Sequence, residues 1–205
     1  MEFYQAINNR RTVRDFKDIK IKQEVLERIL ETGLKAPSND HSRNWEFIIL
    51  EEKSEKDNAL KFVKEWADIQ SENKSASSSG TPSQKMYAYA MPRQYSMLAE
   101  CPYVILPFFK AGKNVFSPTS VSSLNSFASI WCVIENIFLA ATAEGLACSM
   151  RIPVGDEGEK VAKSVGAPDG YLFPCYIGIG YPTDDTVELE QVEYTVKEKM
   201  HFGKW

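Results

Sequence analysis

Residues 126–145 form the most apolar stretch with helical spacing, and they limit what the chain can fold into. Apolar side chains occupy nearly every face of the predicted helix: Phe127, Ile130, Trp131, Ile134, Ile137 and Phe138. A helix that is apolar all round is buried in a large core or at an oligomer interface. Because Glu135 and Glu144 interrupt the wider run 127–148, we interpret it as a buried helix and not as a membrane helix.

Four other stretches are rich in aromatic and aliphatic residues and are predicted as strands: 45–50, 103–109, 146–152 and 172–181. Pro107 marks the end of the second strand or an edge position. Gly178 and Gly180 alternate in the last strand, which leaves one face open to another backbone or to a flat ligand.

Helical spacing recurs in four shorter segments: 2–9, 23–35, 55–70 and 157–165. With helices interleaved among four or five strands, the pattern predicts a layered α/β or α+β domain. At 205 residues, the chain can bury one sizeable core, so we expect a single domain over 1–205.

The charge balance excludes some functions. The chain has 24 basic and 28 acidic side chains and a net charge of −4, which argues against coating nucleic acid or an anionic membrane. Residues 1–14 contain no apolar core of a secretory signal, so we expect a cytoplasmic protein. The spacing of its 4 cysteines fits no metal or redox pair, and we expect them reduced and mostly buried. Only 2 histidines are present, and no metal site is predicted.

A serine-rich segment spans residues 71–83, with 6 serines, Gly80 and Pro82. This composition cannot bury apolar surface, so we expect a mobile surface loop. Long loops of this kind often act as lids or binding loops. Together with the aromatic segment from Tyr87 to Tyr95, the loop is a candidate wall of a pocket for flat molecules.

Residues 10–22 carry 6 cations against 2 acids, a local charge of +4. Arg10, Thr12 and Arg14 alternate, so in an extended chain they share one face and can hold a phosphate through guanidinium and hydroxyl groups. The alternative is a solvated basic connector.

Residues 36–47 form a second polar cluster, a turn between a helix and a strand. Such turns are common binding positions, but Ser38, Asn39 and Asp40 can equally serve to bond the local backbone. His41 is either a general base or a hydrogen-bonding residue, and no serine or cysteine stands out as its nucleophile. Glycine-rich nucleotide loops and a Gly-x-Ser-x-Gly turn are absent. We therefore expect an organic cofactor to supply the chemistry.

Taken together, these clusters resemble the FMN-dependent nitroreductase family. The resemblance rests on Arg-Arg-Thr-Val-Arg-Asp-Phe at 10–16, on Ala-Pro-Ser-Asn at 36–39 before Trp45, on residues 135–146 and 176–182, and on the closing Trp205. It implies an α+β fold with a mixed central sheet of four to five strands flanked by helices, in an intertwined homodimer. The helix around Trp131 would form the interface, and the tail 184–205 would pack on the partner.

The resemblance also implies two FMN sites at the subunit interface. One subunit would supply Arg10, Arg11, Thr12 and Arg14, and the other Pro37, Ser38 and Asn39. Ile152 and Pro153 would pass close to the flavin ring. This chain departs from the family pattern in two places. The family's Asn-x-Gln-Pro-Trp is replaced here by His41 to Trp45, so that Arg43 would be a different partner for the flavin or the substrate. Residues 191–193 lack the family's tail arginine, which leaves the phosphate to the N-terminal arginines.

The function implied by the resemblance is an FMN-dependent oxidoreductase. It would use NAD(P)H to reduce small flat electrophiles such as nitroaromatics or quinones by a ping-pong mechanism, in one pocket and with no catalytic protein residue. Two alternatives remain open: a reductive dehalogenase or other branch of the same superfamily, and a non-catalytic flavin-binding protein.

Overall fold

The computed structural model describes residues 1–72, 80–111 and 115–205, without the side chains of 70–72. The α-helices in this part are α1 (Phe3–Asn9), α2 (Gln23–Gly33), α3 (Lys53–Glu72), α4 (Pro82–Ala90), α5 (Ser96–Ala99), α6 (Asn125–Ala143) and α7 (Glu157–Ser164). The strands are β1 (Trp45–Leu50), β2 (Tyr103–Lys110), β3 (Ala147–Arg151), β4 (Tyr171–Leu172) and β5 (Tyr176–Gly180). These elements confirm the predicted α+β class.

The strands form one sheet in the order β1-β2-β5-β3, with β4 also paired to β2. All pairings between these strands are antiparallel, so the expected mixed sheet is corrected to an antiparallel one. The parallel contribution is an isolated bridge from Thr12 to Cys148, where the Val13 amide donates to the Cys148 carbonyl at 3.0 Å. The basic segment thus continues the sheet beyond β3.

The predicted strand 172–181 is divided into β4 and β5, and Pro174 lies in the gap. Proline has no amide to donate to a ladder, which explains the break. On β5, a Cβ added at Gly178 would lie 2.8 Å from the Met97 carbonyl oxygen and 2.5 Å from Ser149 Oγ. The close approach at this glycine is therefore made by the protein's own chain, which confirms the first of the two alternatives, another backbone.

The sheet separates two apolar clusters, and β2 contributes to both. Ile105 and Phe109 pack with α2 and α6 on one side, as the buried Ile29 and Ile134 show. The intervening Leu106 and Phe108 face the other cluster, which includes α3, α5 and α7. This alternation follows from the period of two in a strand, and it places α6 on the same side of the sheet as α2.

Helix α6 buries one face and leaves the other partly open. Its buried residues are Ile130, Val133, Ile134, Ile137 and Ala141. Phe127, Trp131 and Phe138 are only partly buried. The stretch Val121–Ala143 is long and apolar enough to cross a membrane, but the core helix of a soluble protein passes the same test. Of the 18 consecutive residues that meet this test, 28% are buried here. Within one chain, α6 is therefore buried in the core on one face only, whereas the sequence predicted burial on nearly all sides.

The chain after β5 contains the short 3-10 turn Val196–Glu198 and otherwise irregular backbone. Its large apolar side chains are exposed: Val187, Val192, Tyr194, Val196, Met200, Phe202 and Trp205. The Trp205 ring stacks on His201 with 4.7 Å between centroids, yet its side chain is 100% exposed. These side chains are left without a core of their own to pack on.

Two smaller predictions concern the serine-rich segment and the cysteines. Most of the serine-rich segment, residues 73–79, lies outside the described residues; around it, α3 extends to Glu72 and α4 begins at Pro82. The cysteines are free: Cys101, Cys148 and Cys175 are buried and Cys132 is exposed, as expected for reduced and mostly buried thiols. Burial raises the pKa of the Cys101 thiol to about 12, which makes it unreactive near neutral pH.

Candidate functional site

The basic segment runs in extended form beside β3 directly after α1. Arg10 caps the C-terminus of α1, and the Thr12 bridge fixes the register of the following residues against β3. Val13 is buried, with 7% of its surface exposed, so its neighbours Thr12 and Arg14 face the opposite way. The alternation inferred from the sequence is therefore present in the structure.

A cavity of about 440 Å³ opens along this segment. Arg10, Arg11, Thr12 and Arg14 all line it. Met86 of α4 and residues 182–191 of the tail form its other walls. The structure thus brings the first predicted set of site residues together.

Among these cavity-lining arginines, Arg14 has a buried hydrogen-bond donor that the described residues leave unsatisfied. Its Nε atom is buried and has no hydrogen-bond partner among the described residues. Burial lowers the pKa of Arg14, and the like charge of Arg93 lowers it further, while Tyr89 and Asp15 act in the opposite direction. A cation held in such surroundings is stabilised by an anion that supplies acceptors.

Three residues around Arg14 were not foreseen as a group. The Tyr89 hydroxyl donates to Asp15 Oδ2 at 2.6 Å, and Arg93 Nε lies 3.6 Å from Asp15 Oδ1. Both arginines lie over the Tyr89 ring, Arg14 at 5.9 Å and Arg93 at 4.0 Å from its centroid. The only signal in the sequence was the aromatic segment 87–95, which we assigned to a substrate pocket.

The other two arginines are partly engaged. Arg11 Nη1 donates to the carbonyl oxygens of Asn8 at 2.7 Å and Arg10 at 2.8 Å, which satisfies open carbonyls at the end of α1. Arg10 Nε lies 4.0 Å from the carboxylate of Glu135 on α6. Arg11 therefore serves mainly to cap a helix, whereas Arg10 and Arg14 present their charge to the cavity.

The acidic tail lines the same cavity through Asp184 and Glu188. Lys17 Nζ bonds Asp184 Oδ1 at 2.6 Å, and the Thr183 amide donates to the Asp15 carbonyl at 3.2 Å. Gln191 also lines the cavity, at the stretch where the family resemblance would place an arginine. The tail thus reaches the cavity without bringing a cation at that point.

The turn 37–43 is built around α6. The Asn39 amide donates to Ser129 Oγ at 3.1 Å, and the Asn39 side chain accepts from Asn125 at 3.1 Å. Ser38 Oγ accepts from the Arg43 amide at 3.3 Å, so the alternative of local backbone bonding holds for Ser38. The His41 and Arg43 side chains are exposed. Nothing in the turn marks His41 as a general base.

Three residues of this turn adopt left-handed backbone conformations: Asp40 at φ 52°, His41 at 51° and Arg43 at 45°. Such strain in residues other than glycine costs free energy and concentrates at functional sites. Pro37, the first residue of the turn 37–43, is exposed.

Within one chain this turn does not reach the arginines. Asn39 contacts α6 at Ser129, whereas Arg10 and Arg14 share their cavity with Thr142, thirteen residues further along the helix. At 1.5 Å of rise per residue, the two points are roughly 20 Å apart. The second predicted set of site residues therefore lies apart from the first.

Ile152 and Pro153 line a second cavity of about 430 Å³. Its walls are largely aromatic, from Phe109, Phe116, Phe127 and Phe173. Within one chain, residues 87–95 do not line this cavity: Tyr87 is 61% exposed and Tyr89 lies beside Arg14, so the aromatic wall expected from them stays a prediction.

Strand β3 connects the two cavities. Cys148 pairs with Thr12 at one end, and Met150 shares a small cleft with Arg10. Ile152 lies on the same side of the chain by alternation, four residues beyond Cys148 and therefore about 13 Å along the strand. An arginine-lined cavity and a more apolar cavity thus lie at the two ends of one strand.

In the part of the chain that the structure describes, no group of three or more histidine, cysteine, aspartate or glutamate residues is placed to hold a metal ion. The hydrogen-bond donors that line the first cavity instead include arginines and threonine hydroxyls. This donor set suits an organic anion.

Comparison with known proteins agrees with this arrangement. An iodotyrosine deiodinase of Thermotoga neapolitana is 26% identical over 209 residues, which cover 95% of this chain and 96% of that protein. A candidate NADH dehydrogenase/NAD(P)H nitroreductase of Methanothermobacter thermautotrophicus is 22% identical and covers 100% of this chain and 88% of its own.

Among solved structures, an iodotyrosine deiodinase bound to FMN and 3-iodo-L-tyrosine superimposes with a TM-score of 0.75. The two chains are 21% identical, and the match covers 100% of each, so the whole fold is shared. The sequence model of the Nitroreductase family matches residues 7–181, which include the basic segment, the turn 37–43 and the second cavity. The chain belongs to the nitroreductase family.

Proposed function

We propose that this protein is an FMN-dependent oxidoreductase that reduces small flat electrophiles, nitroaromatics or quinones, with electrons from NAD(P)H. The observation that carries the proposal is the cavity that Arg14 shares with Arg10 and Thr12, where Arg14 also keeps a buried Nε without a partner among the described residues. A phosphate monoester offers the acceptor oxygens and the negative charge that this group lacks. FMN ends in such a phosphate, so the residues fit it.

The chain's own residues bind and orient. Arg10, Arg14 and Thr12 hold the phosphate, and β3 leads from there to Ile152 and Pro153 beside the apolar cavity. The phenylalanine walls of that cavity exclude water and favour planar molecules. Bound FMN would supply the electron transfer, accepting a hydride from the nicotinamide and passing electrons to the second substrate. Because one aromatic cavity would serve both, the two substrates bind in turn.

We propose in addition that the protein is a homodimer in which the turn 37–43 completes the partner's site. Three observations support this: the open apolar face of α6, the exposed apolar side chains of the tail, and the roughly 20 Å along α6 between Asn39 and the arginine cavity. Pro37, Ser38, Asn39, His41 and Arg43 would then meet FMN across the interface.

Removing residues 192–205 tests the dimer. Deletion takes away six exposed apolar side chains, among them Tyr194, Met200, Phe202 and Trp205, and leaves the five described strands in place. We expect the full chain to sediment as a dimer and the shortened chain as a monomer that binds FMN at least about tenfold more weakly, since its site has lost the partner's turn. A full chain that sediments as a monomer while binding FMN tightly would contradict the proposal.

A second candidate function is reductive dehalogenation, favoured by the Thermotoga neapolitana deiodinase that aligns over 95% of this chain. In this reaction an aryl halide takes up two electrons and one proton, the carbon–halogen bond breaks, and the arene and a halide ion are released. Two-electron reduced FMN would be the electron donor. The aromatic cavity beside Ile152 suits a halogenated ring as well as a nitroaromatic one.

The function is tested by three measurements on the full chain. We expect protein reconstituted with FMN to retain it through gel filtration and to bleach near 450 nm under anaerobic NADH or NADPH. A panel of a nitroaromatic, a quinone and an iodophenol then compares reoxidation rates and iodide release. Faster reoxidation by the first two supports the proposal, and iodide release supports the second candidate. Flavin that binds but is bleached by neither nicotinamide would contradict the first proposal. Chemically reduced flavin that then yields no iodide from the iodophenol would contradict the second candidate, and both results together would leave a binding protein.

A further inference from the structure

A charged pair is buried at the point where β3 ends. Arg151 is the last residue of β3 and Glu157 the first of α7; their exposed fractions are 3% and 4%. The guanidinium and the carboxylate meet in a two-pronged contact, with 2.8 Å from Nη2 to Oε2. The hydroxyl of the fully buried Tyr176 donates to Oε1 at 2.6 Å.

Aromatic rings complete the surroundings of the guanidinium. Its central carbon lies 5.1 Å from the Trp66 ring centroid and 5.6 Å from that of Tyr176. Burial raises the pKa of Tyr176 well above its ordinary value, so the phenol stays protonated and donates to Glu157. Arg151 is thereby held in one orientation from three sides.

Stability alone does not account for such a pair. The cost of removing two charges from water offsets most of their attraction, and apolar replacements of similar size are often as stable. What the pair determines is local geometry, because its two members stand at the ends of the turn 152–156. The same guanidinium donates to the Ile152 carbonyl at 3.4 Å, and the Glu157 amide donates to the Val154 carbonyl at 3.1 Å.

That turn forms one wall of the aromatic cavity through Ile152, Pro153 and Gly155. Gly155 has φ +56°, and a Cβ placed there would have no atom within 4 Å. At Gly155 the turn therefore faces open space among the described residues. The backbone contacts given above come from Arg151 and Glu157, so we expect the position of the turn to depend on the buried pair behind it.

We propose that Arg151, held by Glu157 and Tyr176, is a positioning residue that fixes the turn 152–156 where it meets the ring of the bound flavin. The inference rests on the proposed function for the identity of the ligand, while the restraint on the turn is independent of any ligand. Arg151 touches neither substrate nor cofactor and acts only through the turn.

The test replaces the polar group as a whole, because removing one member alone leaves a buried charge unpaired. Arg151→Met/Glu157→Met/Tyr176→Phe keeps the volumes and is expected to fold. We expect faster amide hydrogen exchange at residues 154–158 in the cofactor-free protein, FMN binding weaker by about tenfold, and a shifted visible spectrum of the bound flavin. Arg151→Lys, which keeps the charge and loses the fork, should give an intermediate result and covers failure of the triple variant to fold.

A matched control is the exposed ion pair of Arg28 and Glu144. This pair is also two-pronged, with 3.0 Å from both Nε and Nη2 to the carboxylate oxygens, and it lines neither cavity. Arg28→Met/Glu144→Met should leave exchange at 154–158, FMN affinity and the spectrum unchanged. Unchanged exchange in the triple variant, or in Arg151→Lys if the triple variant does not fold, overturns the inference. Absence of FMN binding by the unmodified protein overturns the proposed function instead, so the two failures are distinct.

Discussion

Replacing Arg10 and Arg14 together with alanine weakens FMN binding by a factor of roughly 100 to 10,000. Each arginine is expected to make charge-assisted hydrogen bonds worth about 1.5–3 kcal/mol to the phosphate. The substitution also removes the cations that face the carboxylates of Asp184 and Glu188 in the cavity, which leaves net negative charge where the phosphate must enter. The dissociation constant is measured by quenching of flavin fluorescence at fixed ionic strength, because salt screens such contacts.

Riboflavin, which lacks the phosphate, separates this role from general damage. We expect the double variant to lose affinity for FMN and to keep that for riboflavin, so that the preference for FMN disappears. Lys20→Ala/Lys22→Ala is the charge-matched control, because it removes two cations of the same basic segment that do not line the cavity. If the arginine variant retains its preference for FMN, Arg10 and Arg14 do not hold the phosphate.

Gly178→Ala destabilises the fold by about 3 kcal/mol. The added methyl group meets the Met97 carbonyl oxygen at 2.8 Å and Ser149 Oγ at 2.5 Å, and neither is the end of a long flexible side chain. Overpacking of this kind costs about 1–3 kcal/mol, and displacement of Ser149 endangers its buried hydrogen bond to Met97, worth about 1 kcal/mol more. For a chain of this length the melting temperature should fall by roughly 6–12 °C.

Gly158→Ala is the matched control and should act in the opposite direction. Gly158 lies in the first turn of α7, and a Cβ there would meet only Pro153 at an ordinary 3.6 Å. Alanine is favoured over glycine in a helix by about 0.5–1 kcal/mol. Both variants are melted without cofactor, since bound ligand raises the apparent stability. Equal melting temperatures for the two variants would show that β5 is not packed as described.

The regular elements were predictable because their signals are local. The strand predicted over 45–50 coincides with β1, because aromatic and aliphatic residues make up nearly all of this segment. Helix α6 was equally clear from its spacing. The division of 172–181 into two strands was missed, although Pro174 was visible, because the pairing of β4 with β2 depends on a strand sixty residues away.

The site was predicted in part. Alternation of Arg10, Thr12 and Arg14 sufficed to propose an anion site, whereas the contacts of Arg14 with Tyr89 and Arg93 join segments far apart in the chain. No sequence signal singled out Arg151 and Glu157, because charged residues of these types are mostly exposed. Their burial follows from the packing of α3 and α7 against the sheet, which no local pattern reveals.

The basic segment is held by parts of the chain made much later in synthesis. Thr12 pairs with Cys148, Phe16 with Pro182, and Lys17 bonds Asp184, 167 positions away. Closing so long a loop is slow, and proteins dominated by distant contacts fold late and slowly. The basic segment therefore cannot reach its final place on a growing chain until residues 182–184 have left the ribosome. Under the proposed function, the cofactor then binds after the sheet is complete and does not guide its formation.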